Sequence, residues 1–221
     1  MTVLFTFYIT DYFTFLATNM QLDKKLQSGE TIREKYIPSN ELETVQPFLA
    51  NGFGVVLVVI TSDENVILTK RTGMSGARAN EMDVSVVEGV HPSLDRHSVN
   101  DGPDLFNTVV RGANEELGII INKDIITFLG YGIDLDYYQW NIIGFAHVPQ
   151  TAQEIKHLRS RGAAGKWENS LLVFENFLPK NIAKVINEKE MWSTAKVALY
   201  WTAVRELGKR NIDRAIKNTI N

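Results

Sequence analysis

Arg111, Glu115 and Glu116 are the residues of this 221-residue chain whose types and spacing best suit chemistry. They stand in Arg111-Gly112-Ala113-Asn114-Glu115-Glu116-Leu117-Gly118-Ile119, two adjacent carboxylates following an arginine. Neighbouring like charges repel unless a cation neutralises them, and hard oxygen donors of this kind suit Mg²⁺ or Mn²⁺. Arg111 precedes Glu115 by one helical turn, the spacing at which an ion pair fixes a carboxylate's orientation. Two glutamates near a helix end are by themselves usually a solvated face. Their meaning therefore rests on the elements that position them.

The segment from Asp104 to Leu117 is the best-marked helix. Asp104 can cap its first turn, Phe106, Val110, Ala113 and Leu117 recur at helical spacing, and Gly118 ends the run. On a wheel of 100 degrees per residue the last three fall within about 40 degrees of Phe106. The expected buried stripe is thus Phe106, Val110, Ala113 and Leu117, with positions 112, 115 and 116 on one flank beside it. Upstream, Phe53 to Ile60 is apolar and β-branched, Ser62-Asp63-Glu64-Asn65 is a turn, and Val66 to Arg71 completes a hairpin. Residues 72 to 82 read as a loop and Asp83 to Val87 as a short strand. Gly89 to Pro103 holds too many breakers for regular structure.

Downstream, Ile125 to Leu135 and Gln139 to Val148 are expected as paired strands, with Asp134 and Asp136 serving the turn. Thr151 to Arg159 reads as helix, Ser170 to Phe174 as strand, and Ile182 to Ile186 and Ser193 to Leu207 as helices, with Asp213 to Ile220 continuing the last after a break near Gly208. Residues 21 to 51 are a charged lead-in. Met1 to Met20 is aromatic, but it lacks a basic leader, and Asp11 interrupts the apolar run well before the ~20 residues needed to span a bilayer. A strand from Val3 to Ile9 is expected there instead.

With these elements in place, the helix resembles the second half of the signature of the Nudix (MutT-like) hydrolase superfamily, in which Arg-Glu-apolar-any-Glu-Glu-any-Gly-apolar is the usual order. Gly89, after Val86-Val87-Glu88, matches the glycine that opens that signature, and the likeness runs over roughly residues 52 to 148. Two departures stand out. Fourteen positions usually separate the glycine from the arginine, whereas Gly89 and Arg111 are twenty-two apart, an insertion of eight. Counted back from Arg111, Pro103 takes the place of the first glutamate, with Asp101 and Asp104 as candidate substitutes. The glutamate that usually follows the arginine is Gly112.

The resemblance implies an α/β (α+β) fold, a mixed β-sheet sandwiched between helices, here with an N-terminal extension (1–51) and C-terminal helices on the main domain (52–221). It also implies Mg²⁺- or Mn²⁺-dependent hydrolysis of a nucleoside diphosphate linked to another moiety. Gly89, Glu115 and Glu116 would hold the metal, and Arg111, Glu115, Glu116 and an outside acid would be catalytic. Glu168 is favoured for that acid over Glu154 and Glu175. Lys70, Arg71 and Arg78 could bind phosphate oxygens, although charges closing a strand are as often edge charges. His91 and His97 in a polar loop are read as solvated, and the four tryptophans as core or interface residues.

Composition bounds the alternatives. A net charge of −3 offers no basic field for nucleic acid or an anionic membrane, so the expected partner is a small nucleotide-type molecule; homodimerisation is left open. The absence of cysteine excludes thiolate catalysis, disulfides and Cys-based zinc sites, and fits a cytoplasmic protein. Gly112 and the insertion motivate a second reading, a catalytically impaired nucleotide-sensing or regulatory module on the same fold. An interaction scaffold built on the aromatic N-terminus and last helices is the third.

Overall fold

In the computed structural model, residues 3–37, 45–73, 78–97, 102–162 and 169–220 are described. The elements are α1 (Tyr12–Ala17), α2 (Ile32–Tyr36), β1 (Phe53–Ile60), β2 (Asn65–Arg71), β3 (Met82–Val84), β4 (Val86–Gly89), α3 (Leu105–Leu117), β5 (Ile126–Asp134), β6 (Gln139–His147), α4 (Ala152–Gly162), β7 (Asn169–Asn176), α5 (Pro179–Glu188), α6 (Ser193–Leu207) and α7 (Lys209–Ile220). The strands form a seven-stranded sheet with the path β3-β2-β1-β6-β5, to which β4 adds against β1 and β7 against β2. This is the mixed α/β class expected from the sequence. Among the described residues, no helix is long and apolar enough to cross a membrane.

The chain divides into two compact units. The first comprises residues 1–54 and 132–141. Its small core is Leu22, Ile37, Leu49 and Tyr138. Buried Asn19 ties the unit together, donating to the carbonyls of Tyr137 (2.8 Å) and Tyr138 (3.1 Å) and accepting from the Ala50 amide (3.0 Å). Asp134 Oδ1 takes the amides of Asp136 and Tyr137, the turn role expected for it. The strand expected over Val3 to Ile9 is not formed. Phe5 and Phe7 instead set their rings edge-on against Phe53, so the apolar residues find ring contacts rather than a ladder.

The second unit, residues 55–131 and 142–221, carries the large core. Every residue of β1 from Gly54 to Ile60 is buried. Successive side chains of a strand point to opposite faces, so both faces of β1 are covered. Val56, Val58 and Ile60 join the core that includes Leu68, Val84, Ile182, Trp192 and Leu199. Helices α5 and α6 pack on β7 and β3, and α3 packs on β4.

The single strand expected over Asp83 to Val87 is two strands broken at Ser85. β3 pairs with β2, Leu68 opposite Val84, while β4 pairs with β1. Ser85 lies at the switch: its hydroxyl accepts the Val59 amide at 2.7 Å and donates to the Ile67 carbonyl at 2.6 Å. A buried backbone donor and acceptor on two strands are thereby satisfied by one side chain. β4 is thus placed beneath α3.

Candidate functional site

Helix α3 begins and ends as its sequence requires. Asp104 caps it by accepting from the Phe106 amide at 2.9 Å and is also held by Lys123 at 2.7 Å. At the other end Gly118 adopts a left-handed conformation (φ 72°), and the Ile119 amide reaches back to the Ala113 carbonyl. A side chain at 118 would also crowd the Leu158 backbone on α4, 3.2 Å from its Cβ. Two constraints therefore ask for this glycine.

The buried face of α3 is rotated from the expected stripe. Thr108, Val109, Gly112, Ala113, Glu116 and Leu117 are buried, whereas Phe106 is exposed and meets the ring of Phe128 at 4.8 Å. The cause is β4, which lies against the flank of positions 112 and 116. A Cβ on Gly112 would stand 2.6 Å from Val86 Cγ1 and 2.9 Å from Glu88 Cβ, closer than real side chains pack. Gly112 is thus a condition of the helix–strand contact, and a glutamate there has no room.

Arg111 is the hub of the corner. Its Nε and Nη2 meet Asp95 Oδ1 and Oδ2 at 2.8 and 2.9 Å, Nη2 also donates to the Gly89 carbonyl at 2.8 Å, and Nη1 faces Glu88 at 3.0 Å and Glu115 at 3.5 Å. Asp95, whose side chain is 0% exposed, also accepts from the His91 amide and the Thr108 hydroxyl. Burial pushes the Asp95 carboxyl up, but the bonds from Arg111, His91 and Thr108 outweigh it and hold the group below its ordinary value. Burial opposes the charge on Arg111, and Asp95 and Glu88 restore it, leaving the guanidinium more basic than usual.

Asp95, six residues after Gly89 and sixteen before Arg111, pairs with Arg111 across a separation that helical spacing does not reveal. Asp104 is engaged in capping α3, and Asp101 lies outside the described residues.

Glu115 is partly exposed beside Arg111. Glu116 is mostly buried, with Oε1 accepting the Val87 amide at 3.1 Å, and its own carbonyl accepts from Arg159 Nε at 3.0 Å. Burial lowers the Arg159 pKa, against the pull of Glu116. That arginine at the helix C-terminus complements the carbonyl end of the dipole; nothing in the sequence singled it out. Among the described residues no group of three or more acidic, His or Cys side chains forms a ready cage for a metal. The acceptors facing Arg111 at the corner are nevertheless all oxygen, the carboxylates of Glu88 and Glu115 and the Gly89 carbonyl, which keeps a second lone pair beside its bond to Arg111. Mg²⁺ typically takes one or two carboxylates and completes its shell with water and substrate phosphates, so this set fits it without a full cage.

No family model matches the chain, and neither does any curated protein sequence. Solved structures do resemble it. A MutT protein from Methanosarcina mazei Go1 aligns over 72% of this chain and 96% of its own, with TM-score 0.49 and 14% identity. An ADP compounds hydrolase aligns over 72% of this chain and 75% of its own, with TM-score 0.49 and 18% identity. A bifunctional NMN adenylyltransferase/ADP-ribose pyrophosphatase from Francisella tularensis, complexed with AMP and a Mn ion, aligns over 74% of this chain and 44% of its own, with TM-score 0.48 and 13% identity.

The remaining expected site residues fall elsewhere. Arg71 and Arg78 converge on buried Asp83: Arg78 Nη1 bonds both carboxylate oxygens at 2.9 Å, and Arg71 stands at 3.8 Å. Arg78 also lies over the Trp192 ring at 4.0 Å. Burial raises the Asp83 pKa, with both arginines opposing. Lys70 is exposed on β2, opposite Met82 of β3. Glu154 forms a capping box with Thr151 at the start of α4, and Glu175 lies on β7 opposite Val66. Glu168 lies outside the described residues. His91 Nδ1 accepts the Ser93 and Leu94 amides, a turn role.

Proposed function

We propose that this chain is a Mg²⁺- or Mn²⁺-dependent hydrolase that cleaves the diphosphate of a nucleoside diphosphate linked to another moiety. The observation that carries the reading is the Arg111 hub, which gathers Glu115, Asp95, Glu88 and the Gly89 carbonyl at one corner of α3 and β4. Buried Asp95 anchors the guanidinium, and the guanidinium in turn orients Glu115 toward the exposed side. Glu116, fixed by the Val87 amide, and the Gly89 carbonyl would complete the protein's share of the metal ligands. The cation would supply charge neutralisation and polarisation of the diphosphate. Glu168 is proposed as the outside acid, and Lys70, exposed on β2, as a phosphate contact.

The test is phosphate release from nucleoside diphosphate derivatives with and without Mg²⁺, for the wild type and for Glu115→Gln and Glu116→Gln. Loss of turnover in folded variants supports the reading, and full activity in both overturns it. A second reading, a nucleotide-sensing module without catalysis, is favoured by Gly112, where no carboxylate fits. It expects nucleotide-dependent thermal stabilisation with no hydrolysis of any of these compounds.

A further inference from the structure

We infer that Glu88, projecting from β4, supplies the carboxylate that α3 cannot carry at position 112. The inference rests on the metal-dependent reading above and adds a ligating residue that the helix pattern does not contain. Three observations join. The volume a side chain at 112 would fill is already taken by Val86, whose Cγ1 would stand 2.6 Å from a Cβ placed there, and by Glu88, whose Cβ and Cγ would stand at 2.9 and 3.2 Å. The Glu88 carboxylate continues from that space to Arg111 Nη1, 3.0 Å away, the same nitrogen that Glu115 approaches at 3.5 Å. Its side chain is 22% exposed, so solvent or ligand reaches it, unlike the fully enclosed Asp95.

The strand and helix have in effect exchanged a glycine for a glutamate across their contact. A glutamate on α3 would need a small residue opposite on β4; here the small residue is on the helix and the acid on the strand. The carboxylate enters the same corner from the other wall, next to the Gly89 carbonyl. Hard oxygen donors are what such a cation selects, whichever backbone delivers them.

Mn²⁺ binding to the full-length chain, read by titration calorimetry and by the loss of the free-ion electron paramagnetic resonance signal in the presence of ADP, tests this without any turnover assay. Glu88→Gln and Glu115→Gln are each expected to weaken Mn²⁺ binding at least tenfold, with an unchanged circular dichroism spectrum. Glu88→Asp, which keeps the charge beside Arg111 but withdraws it by one methylene, is expected to weaken binding less than Glu88→Gln, and it serves if the amide variant does not fold. If Glu115→Gln loses Mn²⁺ while the folded Glu88 variants bind it like the wild type, Glu88 only braces Arg111. The inference then falls and the hydrolase reading stands. If the wild type takes up no Mn²⁺, the metal-dependent reading fails and takes the inference with it.

Discussion

Arg111 and Asp95 meet through two parallel hydrogen bonds, Nε to Oδ1 at 2.8 Å and Nη2 to Oδ2 at 2.9 Å, although sixteen residues separate them. The pair holds Asp95, which follows β4, against α3. It also leaves Nη1, the remaining terminal nitrogen, for Glu88 and Glu115. A planar guanidinium presents its donors in a fixed fork, so pinning one edge aims the other.

Asp95→Asn is therefore expected to destabilise the fold by on the order of 3 kcal/mol at neutral pH, because it leaves a largely buried guanidinium with a neutral partner. The folded-state pKa of Asp95 is depressed. Its contribution is then complete above the unfolded-state value and is lost as pH falls through the lower folded value. Urea denaturation from neutral to acid pH should show the wild-type and Asp95→Asn stabilities converging at the acid end. A gap independent of pH would refute the assignment of this ion pair.

Gly112→Ala should destabilise despite the better helix propensity of alanine. Relieving a contact of only 2.6 Å between the added Cβ and Val86 Cγ1 costs about 1–3 kcal/mol, against a propensity gain of about 1 kcal/mol. Gly112→Glu should be worse and should not raise activity. Adding Val86→Ala to Gly112→Ala is expected to recover part of the loss, measured by denaturant midpoint.

Ser85→Ala removes one hydroxyl and strands two buried groups, the Val59 amide and the Ile67 carbonyl. A loss of about 1–3 kcal/mol is expected. Native-state hydrogen exchange gives the sharper readout: the Val59 amide should exchange faster while amides in α6 keep their relative protection.

Arg78→Ala leaves Asp83, 2% exposed, without its bidentate partner and should cost about 3–5 kcal/mol at neutral pH. Burial already raises the Asp83 pKa, and losing Arg78 raises it further. For a carboxyl raised in the folded state, the native form holds the extra proton, so stability grows as pH falls through the raised value. The variant should regain part of its stability on mild acidification. Near-ultraviolet circular dichroism should change as well, because Trp192 loses the cation over its ring.

Glu116→Gln should leave the melting temperature nearly unchanged and, on the proposed metal-dependent hydrolase reading, abolish turnover. The glutamine carbonyl can still accept the Val87 amide that Glu116 Oε1 accepts now. A large loss of stability would show that the charge of Glu116 is structural.

Much of the scaffold was legible because local signals agreed with the tertiary outcome. The β-branched run Phe53–Ile60 has the composition of a strand covered on both faces, and Asp104 and Gly118 mark the ends of α3 by capping chemistry that acts within one turn. Arg111 and Glu115 are related by helix geometry alone, so their approach could be read from spacing. The strand expected from Val3 to Ile9 failed because alternation and aromatic content describe a surface, not the partner that a strand needs.

What the amino-acid order determined by itself, then, was most of the strands and helices from β1 onward and the placement of an arginine and two acids on one helix, since those depend on contacts only a few residues apart. The tertiary structure alone decided that Asp95 closes onto Arg111, that Ser85 bridges two strands, and that Gly112 yields its space to Val86 and Glu88. Each of these is a meeting of segments whose separation along the chain carries no information about distance in space, and only the packing of β4 against α3 and its neighbours brings them together.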